Sequence, residues 1–342
     1  MQAPSKKTMN HGSKTYNEPW RFLLQTYLRN ALCPAPSSLG GHLRDRPKDD
    51  SLSVSKIGRY CMNSALKGVE VLELDIWDFR TMVRRYIDDA PDCFITETDK
   101  PVMSIPCYGV NNLDNGQINF LSRVDDQDAF LLLVMTFILG PVTHCCRILN
   151  NVPRLVPMAQ SYEFIALRGP NQRPELDWDV LRIPATTFGE GSLSIICVPP
   201  WKVDEEDLRA FTMPSTIPEN LAHHPRFKDT SDAAKIMGQF LWHVAHEACA
   251  QAGPCFVVTN YMFWCFGKFQ SVTAPNDKGK GKEVEGRSTA AIVSPPIELE
   301  TSIPNSVRLP MRTEPMGLGC TVSECLTFWV QMTRGAASWV QA

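Results

Sequence analysis

Four polar residues of this 342-residue chain have the chemistry of a hydrolytic metal site. Three are carboxylates on or beside predicted strands, and a hard divalent cation such as Mg²⁺ prefers oxygen ligands of this kind. The fourth is a lysine, whose ammonium group can neutralise a phosphate next to the metal. They are Asp177, Asp179, Glu163 and Lys202. One carboxylate does not hold Mg²⁺ by itself, so a site requires these side chains to converge in the fold.

The strand among these residues is apolar at the two positions that matter most for such a site. Residues 193–201 read Leu-Ser-Ile-Ile-Cys-Val-Pro-Pro-Trp, and an acidic strand precedes them. Because side chains alternate along a strand, positions i and i+2 lie on one face, where a glutamate and a lysine can serve one metal. Here these positions are Ile196 and Val198, which supply neither a ligand nor a charge.

This strand resembles the metal-binding hairpin of the PD-(D/E)XK nuclease-like fold. It is most similar to that of uncharacterised fungal (basidiomycete) proteins whose strand reads Glu-x-Lys-Pro-Pro-Trp. The resemblance implies an α/β (α+β) fold with an αβββαβ restriction-endonuclease-like core and a mixed central sheet. Its strands are expected near 161–168, 177–183, 193–198, 255–260 and 262–269. It also implies that Asp177, Asp179, Glu163 and Lys202 are the remains of a vestigial or displaced site.

Two functions follow from this pattern. The favoured one is a non-catalytic nuclease-like scaffold, a pseudoenzyme or interaction module without a cofactor, because Ile196 and Val198 remove the ligand and the charge. The alternative is a divergent Mg²⁺-dependent nuclease with a displaced active site built from Asp179, Glu163 and Lys202. That alternative requires the two carboxylates and the ammonium to lie within about 6 Å of one point.

One predicted helix carries a second set of metal-ligating side chains. The string His-Val-Ala-His-Glu places His243, His246 and Glu247 close together, but it matches neither arrangement of the zinc-protease motifs. A zinc site also needs a third ligand at the right position. We therefore interpret these residues as a polar helix face with partly exposed imidazoles, and no metal is assigned to them.

Composition limits the partners and the compartment. The net charge is −3 and the isoelectric point is about 6.2, whereas nucleic-acid-binding proteins usually show a basic face. The partner is unknown, and a protein is favoured over nucleic acid. The twelve cysteines include no Cys-x-x-Cys pair, and the first residues are polar, without the apolar stretch of a secretory signal. Free, buried thiols and an intracellular location, cytoplasmic or nuclear, are expected.

The strongest apolar run, 129–142, predicts a buried helix that ends near Gly140-Pro141, and no membrane association is expected. A second long helix is predicted over 231–252, with Phe240 and Val244 on its apolar face. Five segments are predicted. They are a disordered tail at 1–18, an N-terminal helical and irregular extension at 19–127, the nuclease-like core at 128–269, a disordered low-complexity insert at 270–316, and a C-terminal helix at 317–342 that packs back on the core.

Overall fold

A nine-stranded mixed sheet runs through the middle of the protein, which we describe from a computed structural model. The structure describes residues 21–30, 33–34, 69–96, 98–99, 127–152, 162–166, 179–183, 193–216, 233–250, 253–273, 287–299, 301–302 and 319–335. The predicted tail at 1–18 and Asp177 lie outside these residues.

The strands are β1 Arg21–Leu23, β2 Cys33–Pro34, β3 Glu70–Glu73, β4 Phe94–Thr96, β5 Ile165–Ala166, β6 Asp179–Ile183, β7 Leu193–Cys197, β8 Ser215–Thr216, β9 Cys255–Thr259, β10 Phe263–Thr273, β11 Arg287–Val293, β12 Ile297–Glu298 and β13 Thr301–Ser302. The helices are α1 Leu24–Asn30, α2 Ile76–Asp89, α3 Gln127–Val134, α4 Gly140–Leu149, α5 Glu205–Thr212, α6 Ala233–Ala250 and α7 Val322–Thr333.

The main sheet combines antiparallel and parallel pairs. Its strand order is β5-β6-β7-β9-β10-β11-β3-β8, and β12 pairs with β10 outside that path. Strands β5, β6 and β7 form an antiparallel set, β9 is parallel to β7, and β3 is parallel to β11. Two further pairs, β1 with β4 and β2 with β13, lie apart from this sheet. The predicted α/β class with a mixed sheet is confirmed.

Side chains alternate along the central strands and fill one hydrophobic core on each face of the sheet. Along β7, Ile195 and Cys197 belong to the first core, and Ile196 belongs to the second. Helices α1, α2, α3, α4 and α7 cover the first face, and α5 and α6 cover the second. Strands β7 and β9 are buried at every residue, as is typical of central strands covered on both faces. The architecture is a three-layer α/β/α arrangement.

The longest apolar run folds into a helix that continues past the proline where the sequence predicts its end. The π-helical segment Met135–Leu139 joins α3 to α4, so the helix runs without a break over Gln127–Leu149. Pro141 lies in the first turn of α4. Proline has no N–H group to donate to the preceding turn, and the wider π-helical turn before it allows the helix to continue. Among the described residues, this is the single helix long and apolar enough to cross a membrane, yet 67% of its apolar window is buried inside the protein. It has the burial of a core helix.

The predicted second long helix is confirmed as α6, which buries Phe240 and Val244 in the second core. Two polar side chains of the sheet hold its carboxyl end. Arg182 Nη2 of β6 and Ser194 Oγ of β7 donate hydrogen bonds of 2.7 and 3.2 Å to the carbonyl oxygen of Ala248. The last carbonyl groups of a helix have no partner within the helix, so these contacts fix where α6 ends over the sheet.

The prediction that 270–316 is a disordered insert is wrong for residues 270–273 and 287–299. Strand β10 extends to Thr273, and β11 is hydrogen-bonded between β10 and β3, with Ala290–Val293 buried. The reason is non-local, because β11 pairs with residues about 220 positions earlier in the chain. Local composition does not reveal that pairing. Residues 274–286 and 303–316 lie outside the described part of the chain.

The prediction that 19–127 is an extension outside the core is also wrong for the part that contains β3 and α2. This strand is part of the main sheet, and Phe79 and Val83 of α2 are buried in the first core. At the start of this segment Arg21–Leu23 form a strand that pairs with β4, and Leu24–Asn30 form helix α1. Residues 70–96 therefore belong to the same folded unit as the predicted core.

The nine cysteines whose thiols the structure describes are all free, as predicted. Eight of them are buried, and Cys93 is half-buried. Burial raises the pKa of Cys255 to about 11 and that of Cys146 to about 12. Since the thiolate is the reactive form, these thiols are structural groups with low reactivity.

Candidate functional site

The positions of the expected glutamate and lysine lie in the second hydrophobic core. Ile196 has no exposed surface and Val198 is 4% exposed. Both belong to the core formed with β9, α5 and α6, which includes Leu208, Val244 and Val258. The prediction that positions 196 and 198 share one face of the sheet is confirmed. Two helices cover that face, so a cation or a phosphate could reach these positions only if α5 and α6 lay elsewhere.

The two covering helices pack too tightly on each other to act as a movable lid. A Cβ atom on Gly238 of α6 would come within 2.7 Å of the backbone nitrogen of Phe211 in α5. Trp242 Nε1 donates a 2.8 Å hydrogen bond to the carbonyl of Phe211, and the two rings lie 4.5 Å apart. Separating the helices would break this contact and expose large aromatic surfaces.

The Pro-Pro-Trp segment forms a tight turn that leads from β7 into α5. The backbone N–H groups of Lys202 and Val203 both donate to the carbonyl of Pro199, at 2.9 and 3.1 Å. Asp204 then caps α5, because its side chain and that of Asp207 each accept a hydrogen bond from the other's backbone N–H. Lys202 is only 3% exposed. Its side chain is part of the packed turn and does not extend from the surface.

The loop after β9 closes the same end of the sheet. Asn260 Nδ2 donates 2.9 Å to the carbonyl of Val203, and Asn260 Oδ1 accepts 2.9 Å from the N–H of Phe263. Tyr261 adopts a φ of 74°, and the carbonyl of Tyr261 accepts from Trp264 Nε1. Ligands of open α/β sheets bind outside the carboxyl ends of parallel strands. Here the carboxyl ends of β7 and β9 are filled by buried protein groups.

Asp179 does not lie opposite Ile196. It is the first residue of β6, and the register pairs it with Cys197, so that Val180 is the cross-strand partner of Ile196. Cross-strand partners share a face of the sheet. Since Cys197 belongs to the first core and Ile196 to the second, the position of Asp179 is on the other face from Ile196.

Glu163 lies far from the other two groups of the displaced site. It is exposed and precedes β5, whose Ile165 is paired with Arg182. The same register places Glu163 beyond the last residue of β6, whereas Asp179 is the first. At about 3.4 Å per residue, more than 15 Å along the strand separates them. The structure therefore brings Asp179 and Lys202 to one end of the hairpin and leaves Glu163 at the other.

The histidines of α6 are less exposed than the sequence predicts. His246 is half-buried beside Phe269, but His243 is only 3% exposed, because α6 is buried around most of its circumference. Neither ring nitrogen of His243 has a hydrogen-bond partner among the described residues. Burial and the nearby His246 lower the pKa of His243 to about 4, so its ring is neutral at pH 7. Within the described ranges, no group of three or more His, Cys, Asp or Glu side chains could hold a metal ion.

A partly buried contact between His144 and Asp99 is a polar constellation that the sequence did not reveal. His144 Nε2 of α4 lies 2.9 Å from Asp99 Oδ1, and Asp99 Oδ2 accepts hydrogen bonds from the Thr96 hydroxyl and N–H at 2.6 and 2.8 Å. Burial alone would raise the pKa of Asp99, but the bonds from Thr96 and the proximity of His144 lower it below its ordinary value. The available signal was a histidine inside an apolar helix. The contact joins the segment after β4 to α4. Both carboxylate oxygens of Asp99 are used in these structural contacts.

No protein-family model matches the chain, and no curated protein or solved structure matches it either. The resemblance to the nuclease-like fold therefore stays a prediction that rests on the sequence motif and on the order of elements.

Proposed function

We propose that this protein is a non-catalytic scaffold with a PD-(D/E)XK nuclease-like core, and that it acts by binding a protein partner. The burial of Ile196 and Val198 beneath α5 and α6 carries the proposal. These positions are the ones at which the related hairpin supplies its ligand and its positive charge. An apolar pair packed in a core provides neither, and it stabilises the sheet instead.

The topology supports the same proposal. The helix Gln127–Leu149 precedes three antiparallel strands, α6 follows them, and β9 returns parallel to β7 in the mixed sheet. Helix α5 and the short strand β8 lie between β7 and α6. Apart from these two elements, the order is compatible with the αβββαβ core that the resemblance implies. Strands β10, β11, β3 and β8 extend the sheet beyond it.

The competing proposal is a divergent Mg²⁺-dependent nuclease that uses Asp179, Glu163 and Lys202. It requires these groups to lie within about 6 Å of one point in an open cleft. Two observations count against it. Asp179 and Glu163 lie at opposite ends of the β5–β6 pair, and Lys202 is buried. We also propose a reducing intracellular compartment, cytoplasmic or nuclear, for a chain with so many buried free thiols.

A cleavage assay tests the choice between the two functions. The purified protein is incubated with supercoiled plasmid and with single-stranded DNA in Mg²⁺ and in Mn²⁺, beside the Asp179→Ala variant and an EDTA control. We expect the parent protein to cleave no more than the variant. Metal-dependent cleavage that the Asp179→Ala substitution abolishes would establish the nuclease and end the scaffold proposal.

A further inference from the structure

The outer face of α2 carries an exposed tryptophan in line with arginines. Trp77, Arg80, Thr81 and Arg84 follow the spacing i, i+3, i+4 and i+7, and they line a surface groove that ends at Asp88. The opposite face of α2, with Phe79, Val83 and Ile87, is buried in the first core. The helix is therefore anchored by one side and presents the groove on the other.

Two of the groove's side chains have unused binding capacity. Trp77 is 55% exposed, which is unusual for the largest apolar side chain. Arg80 Nε is buried and has no hydrogen-bond partner, and no ion pair of Arg80 occurs within the described part of the chain. Arg80 as a whole is only half-buried, and its charge has no partner among the described residues. An anionic group in the groove that binds the exposed part of the guanidinium group would balance this charge.

Arg84 adds a second positive charge one turn further along the helix. Its Nη2 makes one long hydrogen bond of 3.4 Å, to the carbonyl of Gly319. Glu324 interacts electrostatically with Arg84, but it already accepts from the N–H of Thr321 at 2.8 Å and lies 3.6 Å from Arg29. Arg80 and Arg84 thus form a short positive segment beside Trp77.

The charge pattern along α2 selects the kind of ligand. Asp88 and Asp89 follow within one or two turns of Arg84, and Arg80 and Asp88 are separated by about 12 Å along the helix. Asp88 forms an ion pair with Arg29, and Asp89 Oδ2 lies 3.7 Å from Arg85 Nε. Among the described residues of the groove, the positive charge without an ion-pair partner is therefore confined to Arg80 and Arg84. A polyanion with a charge on every unit would carry more negative charge than these two arginines can balance. A ligand whose negative charge is confined to one or two side chains, next to an apolar side chain, matches the groove better. Acidic peptide segments have this chemistry.

From this geometry we infer that the α2 groove is the docking surface for a short acidic segment of a protein partner. One or two carboxylates of the segment bind Arg80 and Arg84, and a neighbouring apolar side chain lies on Trp77. Tryptophan and arginine are the residues most enriched among those that dominate binding energy at protein interfaces. The inference rests on the proposed scaffold function and specifies where and what that scaffold binds.

A selection from a displayed library of random 12-residue peptides tests the inference with the full-length protein. We expect enriched peptides to combine two or more Asp or Glu residues with an adjacent Leu, Ile or Phe. The best peptide, made synthetically with a fluorescent label, is then titrated by fluorescence anisotropy. Its affinity should fall when NaCl is raised from about 50 to about 200 mM, because the contacts are partly exposed ion pairs.

Matched variants locate the binding surface. Arg80→Gln and Trp77→Ser should each weaken the peptide about tenfold or more, and Arg80→Lys should lie between Arg80→Gln and the parent because it keeps the charge but loses the planar fork. The control is Arg209→Gln, which removes an exposed arginine of α5 that pairs with Glu205. It should leave the affinity unchanged, and circular dichroism should show all four variants folded.

Three outcomes would overturn the inference. They are a selection without acidic enrichment, an acidic peptide whose affinity Arg80→Gln and Trp77→Ser leave unchanged, and a 12-nucleotide single-stranded DNA that binds the groove more tightly than the selected peptide. None of these results involves metal-dependent DNA cleavage. A wrong docking surface and a wrong scaffold proposal are therefore told apart by separate measurements.

Discussion

A stability measurement can test whether position 196 tolerates the glutamate that the nuclease-like motif carries there. We expect Ile196→Glu to lower the free energy of unfolding by about 3–5 kcal/mol at pH 7, because it places an unpaired carboxylate in a core with no exposed surface. Urea unfolding followed by tryptophan fluorescence measures the effect. The control Ile196→Val, which keeps the side chain apolar, should cost about 1 kcal/mol. A fully stable Ile196→Glu protein would mean that position 196 is open to water.

His243 makes stability depend on pH. Its pKa is about 4 in the folded protein against an ordinary 6.5, so between these values the unfolded chain binds a proton that the folded protein does not. Stability therefore falls as the pH drops from about 6.5 to 4. We expect His243→Leu to remove this contribution and to raise stability at pH 7 by about 1 kcal/mol, since it replaces buried polar atoms that have no partner among the described residues.

Thermal unfolding at several pH values between 4 and 7.5 measures both effects of His243→Leu. His246→Gln is the comparison, because His246 is half-buried and its pKa is also lowered, chiefly by burial. That variant should retain the pH dependence due to His243. An unchanged pH profile in His243→Leu would show that another group controls acid stability.

The hairpin of β10 and β11 can be tested with two deletions, of which only the longer one removes strands. Thr273 and Arg287 are cross-strand partners, so the two ends of the connecting residues 274–286 lie side by side. Replacing 274–286 by a four-residue Asn-Gly-containing turn should keep the melting temperature within a few degrees, because loop-closure entropy changes slowly with loop length. Extending the deletion to 274–300 removes β11 and β12 and should prevent cooperative unfolding. Equal stability of the two proteins would contradict the central placement of β11.

The sequence correctly predicted those elements whose own residues show a clear hydrophobic pattern. Helix α6 and strands β7 and β9 have continuous apolar patterns, and they lie where the sequence predicts them. Strand β11 reads Arg-Ser-Thr-Ala-Ala-Ile-Val, and small residues beside a lysine- and glycine-rich stretch carry little local signal. It is a strand because β10 and β3 pair with it on both sides. The link between Asp99 and His144 depends on the tertiary fold in the same way.

For the site, the sequence correctly predicted that positions 196 and 198 share one face of the sheet. It could not predict that α5 and α6 would seal that face, or that Asp179 would pair with Cys197 on the opposite one. Both facts depend on register and on helix packing. A one-residue shift of register moves every side chain to the other face, and sequence spacing alone does not fix it.

The whole molecule depends on α7 to close the first core. Trp329 lies 5.7 Å from both Phe79 and Phe266, and Phe328 lies 5.6 Å from Tyr86. Truncation before residue 319 removes these contacts and should yield a protein that binds the dye ANS and aggregates. Truncation after Gly335, which leaves α7 intact, is the control and should elute from size-exclusion chromatography as the full-length protein does. A folded, non-aggregating protein without α7 would show that the first core closes without it.

The pairing of β3 with β11 also has a consequence for the time at which the protein folds. Glu70–Glu73 cannot complete their ladder until residues about 220 positions later have been synthesised, and the Thr321 hydroxyl bonds to the carbonyl of Leu28 across an even longer separation. Contacts this distant in sequence slow folding, and they cannot form while the second partner is still inside the ribosome. The nascent chain therefore emerges with an unfilled sheet edge and unclosed cores. We therefore expect folding to be largely post-translational, with the amino-terminal half exposed to chaperones for longest.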